Sequence, residues 1–413
     1  MFTLKEILET TKCSRVLGTR DQVLGISTDS RTTKAGELFI PLKGPKHNGR
    51  KFIKQALAKG AIVLDTKNGL AALQDIAAYH RQKFNIPIIG VTGSVGKTTT
   101  KDMIAAILAQ EMKVLKTEEN YNNEIGVPLT LLQLTKKHQA AVIEMGMQGL
   151  GEIELIAKIA RPTISVVTNI GESHLQYLKT RKNIATAKAE IFKFQTKKDS
   201  AVINADDEFF EHLKSNVRCP RSKVITFGLV EKAQVTPKEL MGIKLPLPGE
   251  HNIYNALAAI AVAKILKIKR KSIKKGLESF RPSTNRYDVI NRPDKVKIIN
   301  DTYNASPKSM AAMLDVLSCL PGRKIAVLGD MYELGKRTRP AHKKIGQLAR
   351  RLGVNILITV GKLAKDMKGT YHFASKKSVV KKLKKIIRPG DRLLIKASHG
   401  LHLEEVVEAI RQI

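Results

Sequence analysis

The sequence predicts an α/β protein of three domains, each a sheet covered by helices. Three observations carry this. The chain has 413 residues, against about 150 for an ordinary domain. Continuous apolar runs alternate with helical patterns, as in parallel sheets buried on both faces. The alternation also restarts twice, near residue 83 and after the basic, Pro-containing stretch 280–286, which reads as a hinge. The expected domains are therefore 1–83, 84–282 and 283–413. At 43% hydrophobic residues the chain can bury real cores, which excludes wholesale disorder.

The first segment opens with a short amphipathic helix, MFTLKEILETTK, and holds short strands at 23–26, 38–41 and 61–64. The second begins with an apolar strand at 86–92, a Gly-rich turn and a long helix from Thr98. Its runs at 140–143 and 164–168 are continuous rather than alternating and read as buried parallel strands. The third places strands at 296–299, 324–328, 356–360 and 392–395 between helical patterns. Strand–helix alternation in both later segments argues for parallel sheets.

Nothing at the start has the form of a secretory signal. The most apolar helical stretch, 255–266, is interrupted by Lys264 and too short to span a bilayer. Cys13, Cys219 and Cys319 lack metal-ligand spacing and read as reduced thiols of a cytoplasmic protein. The formal charge of +35 is extreme and asks for an anionic partner. Residues 336–396 carry 19 Lys/Arg against two acids, Asp366 and Asp391. With Tyr371 and Phe373 as the only aromatics of that stretch, it reads as a solvated face rather than a nucleic-acid site.

The strongest local signal is Val91-Thr92-Gly93-Ser94-Val95-Gly96-Lys97-Thr98-Thr99, between a predicted strand and a predicted helix. In that setting Thr92, Gly93, Ser94, Gly96 and Thr99 shape a loop whose amides close on phosphate oxygens, helped by the helix N-terminus. Lys97 would reach the outer phosphates of ATP and the Thr98 hydroxyl would ligate Mg2+. The general phosphate-loop pattern has Gly where this chain has Val91. At the ends of the next two apolar runs, Glu144 offers a hard oxygen to a metal ion and His174 could help hold a second. Taken alone, Glu144 could equally start a helix and His174 occupy a turn.

The compact T-G-x-x-G-K-T loop, Val91 included, resembles that of the Mur ligase family. Further stretches resemble the same family in order along nearly the whole chain. They are Ser27-Thr28-Asp29-Ser30-Arg31 with Leu42-Lys43-Gly44; residues 117–128, TEENYNNEIGVP; Glu144-Met145-Gly146; Thr168-Asn169-Ile170 with His174-Leu175; Lys188-Ala189-Glu190-Ile191-Phe192; His251-Asn252-Ile253-Tyr254-Asn255; Asp301-Thr302-Tyr303-Asn304-Ala305-Ser306-Pro307; and Gly329-Asp330-Met331-Tyr332-Glu333-Leu334-Gly335.

The resemblance implies an N-terminal UDP-binding domain, a central P-loop ATPase domain and a C-terminal Rossmann-like domain. It implies ATP-dependent formation of an amide bond through an acyl phosphate, in peptidoglycan precursor synthesis. The implied substrates are UDP-N-acetylmuramoyl-tripeptide and D-alanyl-D-alanine, the implied ions two Mg2+, and the enzyme a monomer. Lys188, on pattern alone a surface lysine, would be N-carbamoylated and support the second Mg2+ beside His174. Asn252 and Asn255 resemble the adenine-side motif, although Asn252 could simply cap a helix. Arg286 at the hinge and Asp301 beyond it would complete the nucleotide site. Ser27, Asp29, Ser30, Arg31, Lys43 and Gly44 would meet the uridine diphosphate. Asn120, Asn122 and Asn123, otherwise turn formers, would face the sugar-peptide, and Tyr303, Asn304, Lys396 and Ser398 the amine substrate.

Three positions depart from the family pattern. The usual Asp-Asp pair is Asn300-Asp301, the second Asn of the following motif is Ser306, and Lys-Gly-Ser-Arg becomes Lys396-Ala397-Ser398-His399. All lie in the third segment, where the amine substrate is expected. Alternatives are a sister ligase adding a single amino acid, whose Asp-Asn-Pro-Arg motif is absent here, a pseudomurein relative, and a nucleic-acid-binding protein on an inherited ligase fold.

Overall fold

A computed structural model describes residues 2–13, 15–18, 22–44, 48–218, 223–230 and 232–411; Cys219 lies outside them. The N-terminal helix is Leu4–Thr11, started by a Thr3–Glu6 capping box that satisfies two amide donors of its first turn. The strand expected at 23–26 is two pieces. Gln22–Val23 pairs antiparallel with Phe2–Thr3, while Gly25–Ser27 joins a separate four-stranded sheet with Glu37–Phe39, Ile62–Leu64 and Val16–Leu17. Helix Gly69–Gln82 belongs to two cores. Its Leu73 and Ile76 pack on the N-terminal sheet and its Ala77 on the central domain. The first domain is thereby seated on the second.

The central sheet has six parallel strands in the order Lys223–Phe227, Ser200–Asn204, Ile164–Val167, Ile88–Thr92, Ala140–Glu144, Val114–Lys116. From the middle strand Ile88–Thr92 the chain winds first to one side and then to the other. That reversal opens a crevice at the strand C-termini. Register aligns Val91 with Glu144 and Thr92 with Val167, so three strand ends deliver their next residues to one place. Helix Glu250–Ile265 is buried continuously from Asn255 to Ala263, because it is wedged between helix Lys97–Leu108 and the sheet. This is why 255–266 is so apolar without spanning a membrane. Among the described residues no helix is long and apolar enough to cross one.

The C-terminal sheet runs Asp288–Asn291, Lys297–Asp301, Arg392–Lys396, Lys324–Gly329, Ile356–Val360, Tyr371–Phe373; all pairs are parallel except the first. Asp301 and Lys396 are register partners at adjacent strand ends. The hinge stretch is irregular. Phe280 is buried in the central core and Tyr287 packs against both flanking cores. Of the basic residues in 336–396, Lys376, Lys382 and Arg392 are half-buried and Lys396 is buried; the rest are exposed. The Tyr371 ring is covered by the Lys382 ammonium, 3.7 Å from its centroid, and Phe373 is half-buried. This face is therefore charged but presents no free aromatic platform.

Candidate active site

The Gly-rich turn leaves strand Ile88–Thr92 and enters helix Lys97–Leu108. Two glycines are required by space as well as by dihedral. Gly93 has φ +154°, and a Cβ there would come 1.9 Å from Thr168 Oγ1; Gly96 has φ +84°, and a Cβ would come 2.3 Å from Asn255 Oδ1. The loop is held from the neighbouring strand end. Ser94 N donates to Asn169 O (3.0 Å) and Val95 N to Asn169 Oδ1 (3.1 Å). Val95 O accepts from Thr168 Oγ1 (2.7 Å) and Asn169 Nδ2 (2.8 Å). The first-turn amides of the helix, with no intrahelical acceptor, face the crevice. Thr98 is buried and Thr99 half-buried in that first turn. Lys97 donates to Gly93 O at 2.8 Å; burial pushes its ammonium below the ordinary lysine range, opposed by Glu144.

Glu144 ends its strand rather than starting a helix. Its Oε1 accepts from Asn122 Nδ2 at 2.8 Å, while its Oε2 and the Thr92 hydroxyl are buried with no hydrogen-bond partner. Buried polar atoms without partners are rare in native proteins and call for a ligand or ion. His174 has φ +65° and precedes a short helix. Its Nδ1 lies 2.7 Å from Glu333 Oε2 of the C-terminal domain. The contact is close, but Nδ1 makes no aligned hydrogen bond there; a neutral imidazole carries one nitrogen lone pair that can ligate a metal ion. Burial holds the ring below the ordinary histidine range. Lys188 is not a surface residue. It is 1% exposed, and burial, then the Lys97 charge, hold its amine well below the ordinary range. Among the described residues no side-chain hydrogen bond or ion pair reaches it.

A cleft beside the loop is lined by Val95, Gly171 and Arg181 on one side and by Ser306 and Pro307 of the C-terminal domain on the other. The central and C-terminal domains touch across it. Besides His174–Glu333, Arg337 Nη1 meets Glu172 Oε1 at 2.6 Å and Gln176 N donates to Glu333 O at 3.2 Å. Arg286 stacks on Tyr303, its guanidinium carbon 3.8 Å from the ring centroid, and is near enough to lower the Lys97 pKa.

Three Mur ligase domain families match the chain: the Mur ligase family catalytic domain over residues 22–119, the middle domain over 91–263 and the glutamate ligase domain over 285–399. A relative from Synechocystis, named UDP-N-acetylmuramoyl-tripeptide–D-alanyl-D-alanine ligase, is 39% identical over 99% of this chain and 97% of its own. The chain belongs to the Mur ligase family. The crystal structure of MurF from Acinetobacter baumannii superposes with TM-score 0.91 at 29% identity, covering 99% of this chain and 98% of that one. MurF ligase from Thermotoga maritima, in complex with ADP, superposes at 0.83 with 27% identity over 94% and 97%.

In this Mur ligase the other expected site residues fall into two groups. Some already bond within the protein. Asn252 and Asn255 are buried inside helix Glu250–Ile265, whose N-cap is Gly249, so Asn252 is not a cap. Asn252 Nδ2 donates to Pro248 O (2.8 Å), Asn255 Nδ2 to Asn252 Oδ1 (3.1 Å), and Asn255 Oδ1 accepts from Thr100 Oγ1 (3.2 Å). The pair thus braces the loop from behind Gly96. Asn123 accepts from Ile125 N and Gly126 N at the start of helix Gly126–Leu131. Ser27 bonds within its own turn, Ser30 Oγ donates to Gln55 Oε1 (2.9 Å), and Asp29 pairs with Arg31; that contact holds Asp29 at about 2. The remaining members are open. Arg31, Lys43, Gly44 and Asn120 reach solvent. Lys43 pairs with Asn48 in an isolated bridge.

The third-domain residues converge. The Lys396 ammonium, buried, binds the Asp301 carboxylate and Asn304 O. Ser398 Oγ accepts from Tyr332 N (3.0 Å). Two departures have local causes. Asn300 Nδ2 donates to the hinge residue Asn285 (2.8 Å), which a carboxylate could not do. Ser306 caps helix Pro307–Ser318 through a capping box with Ser309. Glu333 was not among the expected site residues; its motif was visible in the sequence, but its partner His174 is 159 positions earlier and in another domain.

Proposed function

We propose that this Mur ligase joins D-alanyl-D-alanine to UDP-N-acetylmuramoyl-tripeptide, with release of ADP and phosphate. The observation that carries this is that relatives bearing that name match nearly the whole chain, including the loop and strand ends where Lys97, Glu144, His174 and Lys188 converge. ATP lies with its phosphates on the loop 93–99, and Arg286 and Asp301 approach the nucleotide from the third domain. Thr98, Glu144 and His174 fit Mg2+, since Glu144 Oε2 and Thr92 Oγ1 are buried without partners. When bound, Mg2+ offsets the negative charge that gathers between a carboxylate and the γ-phosphate.

The tripeptide's terminal carboxylate attacks the γ-phosphorus, and the bond from that phosphorus to the β,γ-bridging oxygen breaks to release ADP. Lys97 neutralises charge on the transferring group. The dipeptide's neutral amine then attacks the acyl carbon, and phosphate leaves. Tyr303, Asn304, Lys396 and Ser398 frame the amine site, and closure of the cleft keeps water from the acyl phosphate. Lys188 is carbamoylated: its neutral amine forms an N–C bond to carbon dioxide, losing a proton, and the resulting anion would, with His174, help hold a second Mg2+. Burial, which with the Lys97 charge holds that amine well below the ordinary lysine range, supports this reading. Ser27, Asp29, Ser30, Arg31, Lys43 and Gly44 receive the uridine diphosphate, and Asn120, Asn122 and Asn123 border the path of the peptide. The enzyme acts as a monomer in the cytoplasm, where ATP and UDP-linked precursors are made.

The test is phosphate release with UDP-muramoyl-peptides, each offered D-alanyl-D-alanine or single amino acids. Dipeptide-dependent release with the tripeptide precursor is expected. Turnover only with single amino acids would favour a sister ligase, and ATP-independent, salt-resistant retention on nucleic acid with no turnover would overturn the enzyme reading.

A further inference from the structure

The stretch that departs from the family pattern at His399 continues into two more ligand-type side chains. His399 begins a short turn after strand Arg392–Lys396, His402 closes it, and Glu404 opens the last helix. His402 N donates to His399 O at 2.9 Å, and His402 adopts φ +51°. That backbone brings the imidazole rings within 5.3 Å of each other. His402 Nδ1 is 2.9 Å from Glu404 Oε1. One ligand atom from each of the three residues lies within 4.8 Å of the other two. The second oxygen, Glu404 Oε2, is buried with no hydrogen-bond partner. The two imidazoles are exposed, so a cation has a way in.

We infer that His399, His402 and Glu404 form a site for a borderline transition-metal cation of the Zn2+ type, separate from the Glu144–His174 set. Two imidazoles and one carboxylate are a nitrogen-rich donor set with one position left open, which suits Zn2+ or Co2+. Mg2+ is disfavoured, since it demands oxygen ligands in near-ideal octahedral geometry. A tetrahedral ion with contacts of about 2.0–2.2 Å sets its ligand atoms roughly 3.3–3.6 Å apart, so His399 must move in while the 2.9 Å His402–Glu404 contact opens slightly. His399, the residue stacked on Tyr303 at 5.7 Å between centroids, is the one free to move, because His402 and Glu404 already touch. The bound cation therefore fixes the loop 398–404, whose first residue also holds Tyr332 N.

The test is a titration of the full-length protein with Co2+ in millimolar Mg2+, which occupies the oxygen-rich nucleotide site. A visible absorption spectrum of tetrahedral intensity, saturating at one ion per chain and displaced by Zn2+, is expected. His402→Asn keeps a residue tolerant of the left-handed backbone; it and Glu404→Gln should each weaken binding by tenfold or more, while His174→Ala leaves it unchanged. Hydrogen exchange of the 398–404 amides should slow on Zn2+ addition in the wild type and not in Glu404→Gln. No saturable spectrum, one untouched by His402→Asn and Glu404→Gln, or one lost in His174→Ala would overturn the site. None of these readouts depends on ligase activity.

Discussion

Replacing Glu333 by Gln removes one charge from the contact that joins the C-terminal domain to the nucleotide crevice. The carboxylate lies 2.7 Å from His174 Nδ1, with the two side chains 36% and 19% exposed. It also feels the Lys97 ammonium, and contact with His174 holds it below the ordinary glutamate range. Both His174 and Glu333 adopt positive φ, at 65° and 63°, so the backbone on either side carries strain to bring them together. The contact is close but not aligned as a hydrogen bond, and its carboxylate is partly exposed, so it is worth about 1 kcal/mol, the upper end of the range for such pairs. About 1.4 kcal/mol is a tenfold change in an equilibrium. The closed population, and with it kcat/KM for ligation, should therefore fall roughly fivefold, while ATP affinity of the open enzyme stays the same. The second bridge, Arg337–Glu172, has the shorter distance, 2.6 Å, but its arginine is 61% exposed. A pair this exposed falls toward the lower end of about 0–1 kcal/mol, so Arg337→Ala should cost only about twofold. Phosphate release and small-angle scattering with both substrates measure the two effects. Equal or greater loss in Arg337→Ala, or unchanged ligation and compaction in Glu333→Gln, would refute the reasoning.

Further outcomes rest on burial and on backbone space. Carbon dioxide reacts with neutral amine only, so activity should fall on stripping bicarbonate, return on adding it, and need more of it as pH drops and protons compete. The same depressed pKa gives a stability sign: unfolding lets Lys188 take up a proton, so its burial destabilises the apo-protein increasingly as pH falls from about 10.4 toward the folded value. Lys188→Met should then melt higher than wild type in bicarbonate-free buffer, by a margin that grows toward lower pH; an equal or lower melting temperature throughout would count against a neutral buried amine. For the loop, Gly96→Ala and Gly151→Ala share nearly the same φ, 84° and 85°, but a Cβ at 96 meets Asn255 Oδ1 at 2.3 Å and one at 151 meets nothing within 4 Å. Gly151→Ala should cost only the left-handed backbone penalty, about 1–2 kcal/mol. Gly96→Ala should cost more and lose ATP binding, as calorimetry would record.

The elements legible in the sequence are those whose environment is set by neighbours along the chain. Strand Ile88–Thr92, the loop and helix Lys97–Leu108 are contiguous, so apolar run, glycines and lysine together read as a candidate phosphate site before any packing is known. Strands Ala140–Glu144 and Ile164–Val167 are buried on both faces, and continuous apolarity says so. Edge strands escaped: Val114–Lys116 and Tyr371–Phe373 are short and only partly buried, so their composition carries little of the strand signal. The run 23–26 looked like one strand because residue types do not record that Val23 and Ile26 turn to different sheets. Tertiary structure alone decided that Lys188 is buried rather than solvated, and that Asn252 and Asn255 support the loop from behind. It also brought Glu333 to His174. Periodicity encodes how deeply a residue is covered by its own layer; it does not encode which distant element does the covering, and the charge states and unpartnered oxygens of this crevice depend on that.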